Sequence, residues 1–377
     1  MKIPRFIENT LLNKIQTGKK IIILYGARQV GKTTLITDLL KKISGKKLIV
    51  NADEKKYIDI FSSRDFDKMK LLVAGYDVLF IDEAQRIPDI GINLKILHDQ
   101  MPSLRIIATG SSSFELANKI KEPLTGRTWS FQLYPIAFKE LSSLTNQFET
   151  DNKLNELLIY GSYPEVLLYT NHNEKTDYLN EVGSSYLYRD VLELSSIRNS
   201  SKIYDLLRLL ALQIGSEVSL SELGSNIGLT KETVKSYINL LEKSFVIFTL
   251  PGFSRNLRKE ISKMNKIYFY DLGIRNMIIN QFQPLEFRND IGALWENFLI
   301  MERIKSHSFN NNNVKMFFWR TYTQSELDLI EDNGTSLHAF EFKWKNKLSK
   351  CPLAWKNNYP DSIYNCITRE NYSDFIA

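Results

Sequence analysis

One eight-residue run constrains this sequence more than any other: Gly26-Ala27-Arg28-Gln29-Val30-Gly31-Lys32-Thr33. Before it, Ile21-Ile-Ile-Leu-Tyr25 is a short β-branched run with the length of a fully buried parallel strand. After it, Thr34-Leu-Ile-Thr-Asp-Leu-Leu-Lys has the spacing of an amphipathic helix. Strand, glycine loop and helix are the context that a phosphate-binding loop requires. Gly26 and Gly31 let the backbone curl until its N–H groups face inward, onto phosphate oxygens. The start of the helix adds partial positive charge. Lys32 supplies an ammonium for the β- and γ-phosphates, and the Thr33 hydroxyl a ligand for Mg²⁺. The expected nucleotide contacts run from Gly26 through Thr34, with Lys32 also acting in catalysis.

Such a loop needs an acidic partner on another strand. Val78-Leu-Phe-Ile81 reads as a second buried strand, and Asp82-Glu83 ends it. Ligands gather beyond the carboxyl ends of strands in open α/β sheets. Asp82 is therefore expected to hold Mg²⁺, and Glu83 to orient and polarise the attacking water. A third strand, Leu104–Ala108, runs into Thr109-Gly110-Ser111. Thr109 or Ser111 is the candidate contact to the γ-phosphate or the water. Arg127 precedes a fourth strand, Trp129–Leu133, and is the candidate cation for the spread phosphate charge, in its own subunit or a neighbour's. Arg28, inside the loop, competes for that role.

Bulk properties leave room for further domains. The chain has 377 residues, more than one compact domain usually holds. No apolar run approaches the ~20 residues that span a bilayer, so no membrane partner is expected. Two cysteines, Cys351 and Cys366, are too few for a disulfide framework, and the four histidines lack metal-ligand spacing. A cytoplasmic location is the expectation. The net charge of +6 is compatible with a nucleic-acid partner without requiring one.

Residues 141–200 show helical periodicity without chemistry and read as a connector or lid. Beyond them, Ile203–Ile214 reads as a helix and Ser219–Ile227 as a shorter one. Gly228-Leu229 then turns, and Thr230 caps a helix over Lys231–Ser244. Short helix, glycine turn and capped helix make a helix-turn-helix pattern. Val246–Leu250 and Lys266–Tyr270 add two strands of a wing. Arg255, Arg258, Lys259, Lys263 and Lys266 make that wing basic, and Lys231, Thr233, Lys235 and Asn239 are candidate groove contacts. DNA is the candidate partner here, and a protein partner the alternative.

The last quarter carries a second constellation. Gly292–Arg303 reads as a helix bearing Glu296. Val314–Arg320 and Ser325–Ile330 read as strands, the latter with Glu326 and Asp328 on one face. After a turn at Asp332-Asn-Gly334, His338–Trp344 sets Glu341 and Lys343 on one face. An Asp followed by Glu-x-Lys on the neighbouring strand suits metal-dependent phosphodiester hydrolysis. Asp328 and Glu341, with Glu296, would hold Mg²⁺ or Mn²⁺, and Lys343 would position water or neutralise charge. This pattern resembles the PD-(D/E)xK restriction-endonuclease-like superfamily.

A wider resemblance rests on several motifs in order. They are Gly-Ala-Arg-Gln-Val-Gly-Lys-Thr-Thr, Leu-Phe-Ile-Asp-Glu-Ala-Gln, Ala-Thr-Gly-Ser-Ser-Ser, Leu-Thr-Gly-Arg, Leu133–Glu140 and Tyr160-Gly-Ser-Tyr-Pro164-Glu-Val. Together they resemble a prokaryotic family of AAA-type P-loop ATPases with a C-terminal domain of unknown function. The resemblance implies ATP as the nucleotide and a structural hinge at Arg189-Asp190. The expected fold class is α/β: an ASCE-type P-loop domain over 1–140, a helical connector over 141–200, a winged helix over 201–285 and an α/β nuclease-like domain over 286–377. The expected activity is Mg²⁺-dependent ATP hydrolysis coupled to nucleic-acid binding or cleavage. The alternative is a nucleotide-dependent switch or scaffold for a protein partner or a homo-oligomer, with an inactive nuclease-like domain. A weaker third reading is a DNA-binding regulator with negligible ATP turnover.

Overall fold

The computed structural model describes residues 3–111, 124–144, 147–193, 200–254, 265–323 and 325–376. The chain forms two compact units. One holds 1–135 with 186–196 and 243–245, and the other holds 136–185, 197–242 and 246–377.

The first unit is built on a five-stranded parallel sheet in the order β2-β3-β4-β1-β5. The strands are β1 Ile21–Tyr25, β2 Lys47–Asn51, β3 Val78–Asp82, β4 Arg105–Gly110 and β5 Thr128–Gln132. The three inner strands carry the continuous apolar runs, and β1 is buried at every position. That is the pattern of parallel strands covered on both faces. Strand β2 is an edge strand that leaves Ile49 half exposed, so its burial pattern is mixed. The helix Lys32–Lys41 buries Leu35, Ile36, Leu39 and Leu40. Ile90–Gln100 buries Ile90, Leu94 and Leu97. Each such aliphatic side chain contributes roughly 1.5–3 kcal/mol by leaving water. Strand register brings Tyr25 beside Gly110 and Leu24 beside Thr109, so the glycine loop and the end of β4 share the carboxyl edge of the sheet.

In the second unit the helices Ser200–Leu212, Leu220–Ile227 and Lys231–Lys243 follow one another. Ser219 caps the second, its hydroxyl accepting from Glu222 N. Gly228 ends that helix in a left-handed conformation, φ 69°. The Thr230 hydroxyl accepts from Thr233 N at 3.2 Å and starts the third. Strands β6 Glu217–Val218, β7 Ile247–Leu250 and β8 Asn265–Phe269 make an antiparallel sheet in the order β6-β8-β7. The basic residues Arg255, Arg258, Lys259 and Lys263 lie outside the described residues, as do the side chains of Arg189 and Asp190.

A four-stranded sheet, β12-β11-β10-β9, completes this unit. It comprises β9 Lys315–Arg320, β10 Glu326–Asp332, β11 Leu337–Phe342 and β12 Ile363–Ile367. Its core gathers Phe253, Trp319, Leu327, Ile330, Ala339 and Trp355. Polar bonds tie distant stretches of the unit together. Asn276 donates to the carbonyls of Leu158 and Ile159, and Glu302 accepts from Phe138 N at 2.8 Å.

One buried ion cluster gives this unit an acid limit. Arg303 and His307, on the helix Ile291–Phe309, both bond Glu331 of β10, at 2.7 and 2.9 Å from Arg303 and 2.7 Å from His307. Burial alone would raise the Glu331 carboxyl, but those two partners outweigh it and pull it down from 4.5 to about 2. A depressed carboxylate adds stability that is complete above its unfolded value and is lost as pH falls toward its folded one. Glu331→Gln should therefore cost on the order of 3 kcal/mol near pH 7, a difference that roughly halves by about pH 3. Urea unfolding of both proteins across that range measures it, and a difference independent of pH would refute the assignment.

Candidate active site

The glycine loop follows directly from β1. A Cβ at Gly26 would sit 2.3 Å from the Leu133 carbonyl, so only glycine lets the chain leave the strand there. Gly31 has φ 92° and Gln29 φ 60°, left-handed conformations that close the curl. Lys32 is buried, and its ammonium bonds the Gly26 carbonyl at 2.9 Å and the Ala27 carbonyl at 2.8 Å. The cation is thus held across the loop whose N–H groups would face phosphate. The helix Lys32–Lys41 has no side-chain cap and no acid in its first turn, which leaves its amide ends for an anion. Arg5 supports the loop as well: its guanidinium donates to the Val30 carbonyl at 3.0 Å and to the Tyr134 carbonyl at 2.5 Å. Sequence reading missed Arg5, because nothing local marks it.

Asp82 ends β3, with β4 lying between β3 and β1. Both of its oxygens are engaged. Thr33 Oγ1 donates to Asp82 Oδ2 at 2.7 Å. Thr109, from the end of β4, donates to Oδ1, as does Glu83 N at 3.2 Å. A hydroxyl and a carboxylate in contact are hard oxygen donors of the kind Mg²⁺ takes beside nucleotide phosphates, and they fit that ion. Of the two polar candidates after β4, Thr109 touches Asp82. Ser111 instead accepts from Gln85 Nε2 at 3.1 Å. Gln85 Nε2 also donates to Glu83 Oε2 at 2.5 Å, so Gln85 couples Glu83 to Ser111. Glu83 itself has φ 53°, a strained conformation for a residue with a side chain, of the sort that clusters at functional sites.

Arg127 stands away from its own glycine loop, which leaves a neighbour's phosphates as its expected role. It precedes β5, and Ile21 pairs with Thr128, so Arg127 lies at the amino end of the parallel sheet. The glycine loop is at the other end, about five residues or ~17 Å away. Arg127 instead makes two bonds to Asp99, at 2.7 and 3.1 Å. It does not reach phosphates held by its own loop.

The second constellation also differs. Glu296, Asp328, Glu341 and Lys343 do gather in one region, and each has a bonded partner within the protein. Lys343 Nζ donates to Glu341 Oε1 at 2.6 Å. Phe342 N donates to Asp328 Oδ2 at 2.7 Å. Lys266 of β8 is ion-paired with Glu296 at 3.0 Å and Glu326 at 2.5 Å, and lies 4.0 Å from Asp328. Tyr268 donates to Glu296 at 2.6 Å. Burial, then the charges of Glu296 and Glu341, push the Asp328 carboxyl well above its ordinary value. Among the described residues no three Asp, Glu, His or Cys side chains converge as a metal cage. Of the triad Glu296, Asp328 and Glu341 expected to hold a divalent cation, Glu296 and Asp328 lie within 4.0 Å of the Lys266 ammonium, and Glu341 accepts from Lys343. Lys266 was expected to lie in a phosphate-facing wing; it is turned inward and buried.

The fold and site of the first unit are those of a P-loop ATPase domain. Residues 18–142 match the family described as an AAA domain. Residues 151–285 and 291–357 match two families described as domains of unknown function, DUF8612 and DUF4143. An uncharacterized protein of Methanocaldococcus jannaschii is 28% identical over 347 residues, covering 87% of this chain and 76% of its own. An uncharacterized protein of Mycobacterium tuberculosis is 27% identical over 328 residues, covering 86% and 70%. Among solved structures, a Walker-type ATPase of Pyrococcus abyssi aligns with TM-score 0.51 at 16% identity, covering 74% of this chain and 96% of that one. At that identity the likeness is one of fold. Among the described residues no helix is long and apolar enough to cross a membrane.

Proposed function

We propose that the first unit hydrolyses ATP with Mg²⁺ and that turnover drives engagement of a nucleic acid by the helix-turn-helix segment of the second. The observation that carries the hydrolysis is the bonded chain Thr33–Asp82–Thr109 with Glu83 as the next residue. Thr33 and Asp82 would hold Mg²⁺, which neutralises phosphate charge when bound. Lys32 and the loop amides orient the β- and γ-phosphates. Glu83 aligns a water and accepts its proton. Purified protein should release phosphate from ATP with Mg²⁺ and not with EDTA; no turnover at any Mg²⁺ concentration would remove this reading.

The nucleic-acid part is supported by an open groove of about 940 Å³ beside the helix Lys231–Lys243, whose lining includes Lys231, Lys235 and Asn239. Glu232 and Glu242 line the same groove, and that mixture favours a second reading, a nucleotide-driven switch for a protein partner. Duplex DNA binding separates the two. Phosphate contacts make log affinity fall with log salt by about 0.9 per contact. Affinity that is weak and insensitive to salt would leave the protein-partner reading.

A further inference from the structure

We infer that Lys266 serves as the built-in counter-cation of the C-terminal carboxylate cluster, so that this cluster is an ion-paired joint and not a divalent-metal nuclease site. Three elements meet there. Glu296 comes from the helix Ile291–Phe309, Glu326 and Asp328 from β10, and Lys266 from β8 of the three-stranded sheet. The Lys266 side chain is 3% exposed, and its ammonium lies within 4.0 Å of all three carboxylates. A buried ammonium is held only where paired charges and hydrogen bonds offset its lost hydration. Here burial would lower the Lys266 pKa, yet Glu296, Asp328 and Glu326 together raise it above the ordinary lysine value.

Further donors stand on the same acids. Tyr268, two residues along β8 from Lys266, bonds Glu296. Arg320 stands 4.0 Å from Glu326. Glu341 is capped by Lys343, and Asp328 takes the Phe342 amide. A divalent ion bound between Glu296 and Asp328 would have to displace the Lys266 ammonium from beside them. The same bonds link β8 to β10 and to the long helix, which gives the acids a structural use. This inference rests on the second unit alone and stands whether or not the P-loop turns over ATP.

The test uses full-length protein without nucleotide, with Mn²⁺ as the probe and bound ion measured by electron paramagnetic resonance. Wild type should show no Mn²⁺ site that Asp328→Asn removes, and no Mn²⁺-dependent cleavage of DNA or RNA that Asp328→Asn with Lys343→Ala removes. Either such site or such cleavage overturns the inference. Lys266→Met should raise Mn²⁺ affinity about tenfold or more, since the acids then lack their cation. A folded Lys266→Met protein with unchanged Mn²⁺ affinity also overturns it. Should that variant not fold, the wild-type measurement still decides, and Glu326→Gln adds a second route. Its drop in Tm should be larger in wild type than in the conservative Lys266→Arg background, where the shifted charge loosens the pair. Equal drops would count against an ion-paired joint.

Discussion

Lys32→Ala should weaken ATP binding by about 100-fold, measured by calorimetry or a fluorescent ATP analogue with Mg²⁺ present. The argument is local. The Lys32 stem is buried against the loop, and its ammonium already bridges the Gly26 and Ala27 carbonyls at 2.9 and 2.8 Å. A bound triphosphate offers that cation stronger acceptors in the same place. Charge-assisted hydrogen bonds contribute about 1.5–3 kcal/mol each, so losing two at the lower end of that range accounts for roughly two orders of magnitude. Alanine also removes the tie between the loop and its own carbonyls, which loosens the curl that aims the amides. Lys32→Arg should not restore affinity, because a planar, longer head cannot sit between carbonyls spaced for an ammonium. Binding by Lys32→Ala within about threefold of wild type would exclude this loop as the nucleotide site.

The parts of the site that were legible in the sequence are those whose physics is local. The glycine loop announces itself because strand, curl and helix are contiguous between Ile21 and Lys41. Asp82 and Glu83 are legible because an apolar run ends in acids. The insertion of β4 between β1 and β3 is a tertiary fact, and with it comes the choice of Thr109 over Ser111 as the residue that meets Asp82. Strands β2 and β12 escape a hydrophobicity reading because both are half-exposed edges. The same-subunit half of the Arg127 expectation could have been narrowed from the sequence. It precedes its strand, and in a parallel sheet the amino ends lie away from the ligand. Lys266 could not: its partners Glu296, Glu326 and Asp328 lie 30, 60 and 62 positions along the chain (296−266, 326−266 and 328−266). A lysine near a basic wing looks like a phosphate contact until its partners are seen.

Glu83→Gln should lower kcat for ATP by about 10²- to 10³-fold while leaving ATP affinity close to wild type. The variant preserves shape. Its amide oxygen can still accept from Gln85 Nε2, the bond that ties residue 83 to Ser111. Thr33, Thr109 and Asp82 keep their mutual bonds, so the groups proposed to hold Mg²⁺ and phosphate are untouched. What is lost is a carboxylate able to take the proton of an attacking water. The result differs from Asp82→Asn, which should depress affinity and turnover together, because Asp82 is bonded to Thr33 and the two are the proposed Mg²⁺ ligands. A split between kcat and binding at residue 83, with none at residue 82, thus separates a proton acceptor from a metal ligand one position apart. Turnover by Glu83→Gln at the wild-type rate would take Glu83 out of the mechanism. The Gln85 bond would then need another purpose, such as holding the strained turn at φ 53° in place.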